Sequence, residues 1–427
     1  MKITKIVLVN SLLFAFLSSG FLYFLHHIPV NQAFIDPFSE YIKNYDLMDI
    51  TCSRFRDKND PTLFDNRVFI INSGNTDRAK VASCLEFLDR TRVKAVGVDL
   101  FFDSIHLERA DTLLRDAAGL SENFIFANSF EEIGPSRDTV FSIVSDTFLI
   151  PIRKQHYVNL DTDDGFTVRS FKPYHEDKGS IHQSFAVSLC SLFNPESVAD
   201  LNNRNLKREW INFRRAQFEN IPGIFDAYKA SYPAYPIISI DKFLKDSSLY
   251  NEDYFKDKIV LIGFCGDIQN PSLKDRYYTP LNVNPTGRSF PDMHGVVIHA
   301  NIISMILDRD YIDELNIWLL YLIVFVIFMV NYLVFIRVSQ ARLFFNLVFI
   351  RLIQVFQFLL LFSASIWLLA NQNIKLGFIL IITAVILSFE LFEFYIHKLK
   401  PLFGRWARKL NLYHWDKITV EPDNQHH

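Results

Sequence analysis

Two carboxylates, Asp99 and Asp103, follow the run Lys94-Ala-Val-Gly-Val98, and a second polar group follows the run Lys258-Ile-Val-Leu-Ile262. That second group holds Asp275, Arg276 and Thr279, with His299 and Asn301 just beyond Gly295. Short β-branched runs bounded by Gly and polar residues read as buried strands. Residues just past such strands in an α/β sheet converge on the crevice where ligands bind. The seven side chains could therefore line one polar, ligand-binding cleft. The competing reading is mechanical: Asp99 accepts backbone N–H bonds and pairs with Arg276, fastening the loops. No nucleophile with a positioned base accompanies the acids, so neither a hydrolase nor any catalytic residue is indicated. No GxxxxGK[ST], GxGxxG, HExxH or GxSxG pattern occurs, and no cofactor is expected. His294 and His299 are separated by Gly295 and need not share a face, so they read as hydrogen-bonded structural histidines rather than metal ligands.

The elements that must position these residues follow from periodicity. Val68–Asn72 reads as a strand, Ser73-Gly74-Asn75 as a turn, Asp77–Thr91 as a helix with Val81, Cys84, Leu85 and Leu88 inward, and Ala95–Leu100 as the next strand. That is a βαβ unit, right-handed by rule. Ile105–Ala118 reads as a helix, Phe124–Asn128 as a third strand, and Val140–Tyr157 as two further strands. Val158–Phe171 reads as a hairpin turning at Asp163-Asp164-Gly165. Ser180–Phe193 has helical spacing, with Phe185, Leu189 and Leu192 inward. Asn194–Asn220 reads as a polar insertion around a strand at Trp210–Phe213, and its basic cluster, Arg204 to Arg215, as a solvated face. Ala234–Ile238 is another strand, Ser239 caps a helix at Asp241–Lys245, and Lys258–Ile262 closes the sheet. Gly295 then leads into a helix with Val296, Ala300, Ile303 and Leu307 in register. Phe38–Met48 reads as an amphipathic helix. The expected fold is an α/β domain with a mixed sheet, residues 32–314.

Three ordered stretches carry a resemblance. They are Val68–Asn72 with Lys94–Phe102; Asp161 to Ser170; and Lys258–Gly263 with Asp275–Pro280 and Gly295–Asn301. Together they resemble the CHASE-type sensory domain of the second class, the cyclase/histidine-kinase-associated sensory extracellular domain. The likeness runs from about Gln32 to Leu315. It implies an extracytoplasmic sensory module with one membrane span before it and three after. The family pattern often carries an acid where this chain has Asn72.

Composition agrees with a membrane protein bearing a sizeable soluble part. Half of the 427 residues are hydrophobic, 42 are Phe, and the net charge of −3 gives no sign of nucleic-acid binding. Ile6–Leu25 is uncharged and long enough to cross a bilayer as an uncleaved anchor, residues 1–31. Leu315–Ile336, Leu352–Ala370 and Leu376–Tyr395 are three more spans within residues 315–396, giving an α-helical membrane region of four spans. Arg337 and Arg342 lie in the first short connection, and Lys398, Lys400, Arg405, Arg408 and Lys409 in a tail, residues 397–427, with the look of a basic amphipathic helix. The positive-inside rule places the termini in the cytoplasm and the α/β domain outside. On that side disulfides can form. No CxxC spacing occurs, and Cys52, Cys84, Cys190 and Cys265 read as buried thiols, with one disulfide as the alternative.

Charges near the spans should be paired. Counted from Asn373 at about 1.5 Å per residue, Arg351 and Glu393 both lie roughly 30 Å from the loop, so Arg351 is expected to pair with Glu393, with Glu390 second. The family usually carries a cyclase, kinase or similar output domain after its last span, and none follows here. The reading is therefore a non-enzymatic subunit of the bacterial inner membrane, multi-pass and in contact with lipid. Its outer domain would bind a ligand or envelope protein and signal to a separate effector protein. Homo-oligomerisation is a further option. The alternative is a structural or docking subunit of an envelope assembly, which a large exposed apolar patch would favour.

Overall fold

The computed structural model describes residues 5–27, 46–56, 61–102, 104–105, 109–132, 139–140, 147, 149–162, 167–177, 179–215, 234–266, 273–282, 290–341 and 345–409. Asp103, most of the expected Phe38–Met48 helix, the turn at Asp163-Asp164-Gly165 and the tail beyond Lys409 lie outside those residues. The chain divides into two compact units, Pro37–Ile312 and a second formed by Met1–Asp36 with Asp313–His427.

The first helix, α1, is Lys5–His27 and belongs to the second unit. The α/β unit then runs β1 (Val68–Asn72), α2 (Arg78–Asp89), β2 (Ala95–Asp99), α3 (Arg109–Gly119), β3 (Phe124–Asn128) and β4 (Gln155–Tyr157). After a hairpin, β5 (Tyr174–Asp177) and β6 (Ser180–Gln183), come α4 (Phe185–Phe193) and α5 (Pro195–Arg204). The unit ends with β7 (Ile237–Ser239), α6 (Ile240–Lys245), β8 (Ile259–Gly263), the short pair β9 (Arg276–Tyr277) and β10 (Met293–His294), and α7 (Gly295–Asp308).

Six strands form one sheet in the order β7-β1-β8-β2-β3-β4, and every neighbouring pair is parallel. The expected mixed sheet is thus a wholly parallel one, with the antiparallel pairings confined to separate two-stranded ribbons such as β5–β6 and β9–β10. The last strand does not close the sheet. β8 lies between β1 and β2, and all five of its residues are buried. A continuous apolar run of this kind suits a strand covered on both faces, which only a central position supplies.

Helices α2, α3 and α6 pack one face of the sheet, where Val81, Leu85, Leu88, Leu114, Val96, Val98 and Phe243 form one core cluster. On the other face α4 comes so close to β2 that a Cβ on Gly97 would stand 2.6 Å from the Phe185 ring and 2.7 Å from Leu189. The helical pattern expected from Ser180 begins only at Phe185. Ser180–Gln183 is a strand, and the Ser184 side chain caps α4 by accepting from the Val187 N–H. The polar insertion contains a real helix, α5, capped by Asn194 and started by Pro195. The stretch Asp161 to Ser170 docks through Arg169, which is 1% exposed and bonds both oxygens of Asp49 at 2.9 and 2.8 Å. All four cysteines are buried, and none of them forms a disulfide.

The second unit continues with α8 (Ile317–Gln340), α9 (Asn346–Gln372) and α10 (Phe378–Phe394), which runs through a π-helical turn, Tyr395–Leu399, into α11 (Lys400–Lys409). With α1 these supply four helices long and apolar enough to cross a membrane. Phe14 of α1 sits among the rings of Phe328, Tyr332, Phe392 and Tyr395, and the Tyr395 hydroxyl donates to Asn10 Oδ1 at 2.8 Å. Gln354 and Gln357 of α9 bond Val385 O at 2.7 Å and Asn331 Oδ1 at 2.6 Å, tying that helix to both neighbours.

Candidate functional site

The C-terminal ends of β1, β8 and β2 stand side by side, with Asn72, Gly263 and Asp99 in register. Asn72 gathers the chain that leaves β8. Its Nδ2 donates to Gly266 O at 2.8 Å, and its Oδ1 accepts from Cys265 N at 2.9 Å and Gly74 N at 3.0 Å. An amide can both donate and accept there, whereas an ionised acid could only accept. Gly263 is the pinch point: a Cβ on it would lie 2.9 Å from Val296 Cγ2 and 3.2 Å from Asp99 Cβ. The start of α7 is thereby pressed against the strand ends.

Asp275 arrives from the β8–α7 loop in a left-handed conformation, φ 54°. Its carbonyl accepts from Gly295 N at 3.1 Å, and a Cβ on Gly295 would lie 3.1 Å from both carboxylate oxygens. The carboxylate thus sits over the N-terminal end of α7, where the helix dipole favours it. The charge that acts on Asp99 is Asp275, not Arg276. Burial and then the like charge of Asp275 hold the Asp99 carboxyl well above the ordinary range. Burial also raises Asp275, against hydrogen bonds from Gly295 and the Tyr277 hydroxyl and the charge of Lys274. The pair is an acid couple at the strand ends, half covered at Asp99.

The remaining expected members separate. Arg276 lies in β9 opposite His294 of β10, and after burial it is the next cause that pushes His294 down to about 3. Asp99 makes no ion pair with Arg276, because the left-handed turn at Asp275 and the β9–β10 pairing carry Arg276 to the His294 side. Thr279 is held by Asp292, which the sequence reading did not single out: its N–H and hydroxyl donate at 2.9 and 2.5 Å, and Asn282 Nδ2 adds a bond at 3.2 Å. Burial pushes Asp292 up to about 6 despite these donors. His299 packs on the Phe185 ring at 5.3 Å, and burial pushes it down to about 4, a neutral core histidine. Asn301 fastens the Arg215 backbone, donating to its carbonyl at 3.0 Å and accepting from its N–H at 3.2 Å. The predicted cleft is therefore an acid pair, a loop knot and two residues inside α7. Among the described residues no group of three or more His, Cys, Asp or Glu could hold a metal ion.

A second constellation lies at the other end of α7, where the chain leaves the unit. Arg67 grips both oxygens of Asp65 at 2.9 and 2.7 Å and reaches Asp308 at 2.6 Å. Arg215 bonds Asp308 at 2.9 Å and Leu63 O at 2.8 Å, and Ser304 donates to Asp65 at 2.7 Å. Burial raises Asp65, but the Arg67 hydrogen bond and charge outweigh it and leave the carboxyl below its ordinary value. Arg309 pairs with Asp200 at 2.5 Å, Arg214 pairs with Asp310, Asn212 donates to Asp310 O at 2.9 Å, and Arg204 to Ile312 O at 3.3 Å. Of the cluster Arg204–Arg215, Lys207 and Arg208 are exposed as a solvated face would be, but Arg204, Arg214 and Arg215 are not. Arg215 is only 11% exposed, and these three arginines clamp Asp308–Ile312. Asp308 and Asp310 lie 93 and 96 residues along the chain from Arg215 and Arg214, outside any local window.

In the second unit Arg351 pairs with Glu390 at 2.6 Å and lies over the Phe389 ring at 5.1 Å, while Glu393 pairs with His397 at 3.2 Å. The expected Arg351–Glu393 pair is displaced by one turn. The connection is extended at Ile374–Lys375 rather than helical, so a count at helical rise overstates how many residues of α10 bring it level with Arg351.

The CHASE2 domain model matches residues 62–333, more than half of the chain, and the protein belongs to the CHASE2 domain family. That family is a sensory one, usually found in signalling proteins. No curated protein and no solved structure matches the chain significantly.

Proposed function

We propose that the protein is a non-enzymatic, multi-pass sensor of the bacterial inner membrane. Its α/β domain lies outside, binds a ligand or envelope protein, and passes its state through α7 and Asp308–Ile312 into the second span toward a separate effector. The observation that carries this reading is the exit clamp. Arg67, Arg215, Arg214 and Arg204 hold Asp308, Asp310 and Ile312, and the second span opens at Ile317, five residues on. A linker held this firmly moves with the domain rather than absorbing its motion. The strand Asp313–Glu314 then pairs with Ile374–Lys375, between the third and fourth spans, so a shift in the second span reaches that hairpin too. The arginines and lysines of the first short connection and of α11 favour cytoplasmic termini.

The test is site-specific photo-crosslinking in cells, with one crosslinker at exposed Leu402 and another at exposed Phe101. A sensor gives a distinct protein adduct at Leu402. A docking subunit gives adducts at Phe101 and none at Leu402, and that result would reject the sensor.

A further inference from the structure

A cavity of about 720 Å³ opens in the α/β unit between the β5–β6 hairpin and the C-terminal end of α5. Tyr174, Glu176 and Ile181 line it from the hairpin, and Leu201, Asn202 and Lys207 from the helix end. Its size falls within the range of about 300–1,000 Å³ that holds small organic ligands. It shares no lining residue with the acid pair or the exit clamp.

The two walls are pinned together, because the Tyr174 hydroxyl donates to Asn202 Oδ1 at 2.6 Å. That bond leaves the Asn202 amide NH₂ as a free donor. Lys172, the other lysine of the lining, is committed to Asp161 at 3.2 Å. Among the described residues Lys207 and Glu176 make neither an ion pair nor a hydrogen bond, so the cavity offers one uncommitted cation and one uncommitted anion from opposite walls. Apolar side chains share the lining with the charged groups. Leu201 is buried, while Ile181 and Leu206 are 68% and 50% exposed. An anion alone would find a single free cation, and a phosphate would find no glycine-rich cradle. Paired opposite charges about an apolar floor match an apolar zwitterion, and the volume suits one longer than a single amino acid.

We propose that this cavity binds a short peptide with both termini free, its carboxylate on Lys207, its ammonium on Glu176 and an apolar side chain over Leu201 and Leu206. The proposal deepens the sensor reading by naming the ligand class, and rests on that reading for its physiological meaning only. Binding heat is read on the purified full-length chain in detergent, so it succeeds or fails independently of the Leu402 adduct.

The probes are the tripeptide Ala-Leu-Ala, its C-terminal amide, its N-acetyl form and the doubly blocked form. The free tripeptide should bind, and each single block should weaken binding about tenfold. Lys207→Ala should abolish discrimination against the amide alone, and Glu176→Gln discrimination against the acetyl form alone. Both side chains are exposed and unbonded, so neither change threatens the fold. No heat with the free tripeptide up to its solubility limit, or equal binding of all four probes, would overturn the assignment.

Discussion

Asp99 and Asp275 repel one another at the strand ends, and that sets a pH dependence whose sign can be worked out. Both carboxyls titrate above their ordinary value in the folded chain, so the folded state holds protons that the unfolded chain releases. Their contribution is fully present below the ordinary carboxylate range, near pH 4, and is lost as pH rises through the raised values. Asp99→Asn removes the repulsion. The variant should be more stable than the wild type by about 1 kcal/mol at neutral pH, a value discounted for the partial exposure of Asp99, and the gap should close as pH falls toward about 4. Melting curves of both proteins in detergent across that range read the difference directly, and a variant less stable at neutral pH would show that Asp99 has a stabilising partner. The two acids were legible in the sequence because strand-end positions follow from the apolar runs. The partner of Asp99 was not, because one left-handed residue, Asp275, decides which loop side chain turns toward it.

Among the elements, α7 organises the unit: its first turn presses on β8 and its last residue is clamped by arginines. A methyl at Gly263 would strike Val296 Cβ at 3.0 Å, an atom that no rotamer can move aside. Gly263→Ala should therefore push α7 off the sheet and cost about 1–3 kcal/mol, read as a lower melting temperature. An unchanged melting temperature would mean that the contact has slack. In the second unit, Arg351→Glu faces Glu390 with a like charge and should lower the yield of folded protein, and adding Glu390→Arg should restore it, whereas adding Glu393→Arg should not. Gel filtration of the detergent-extracted variants distinguishes the two rescues. The spans, the βαβ unit and α7 could all be read from hydrophobic period. The place of β8 in the middle of the sheet could not, since chain order does not encode strand order, although its unbroken apolar run was the available signal. The peptide-sized cavity left no sequence signal either, because it joins a hairpin to a helix end.

For the whole molecule, the family membership and the four helices long and apolar enough to cross a membrane go with a multi-pass sensory chain, and the exit clamp fastens the segment that leads from the α/β unit toward the second of those helices. The clamp was hidden in the sequence as a basic cluster, since its acids, Asp65, Asp308 and Asp310, are distant along the chain. The most direct measurement is amide hydrogen exchange on the full-length protein in detergent, comparing wild type with the double variant Arg67→Ala, Arg215→Ala. Around the exit, Arg309 N donates to Ile306 O at 3.2 Å, Asp310 N to Met305 O at 3.1 Å and Asp313 N to Asn373 O at 2.8 Å, and these bonds report on it. If the clamp couples the domain to the second span, exchange across residues 304–316 should quicken about tenfold or more while β1, β2 and β3 stay protected. Unchanged exchange across that segment, or an equal rise throughout the α/β unit, would contradict the account.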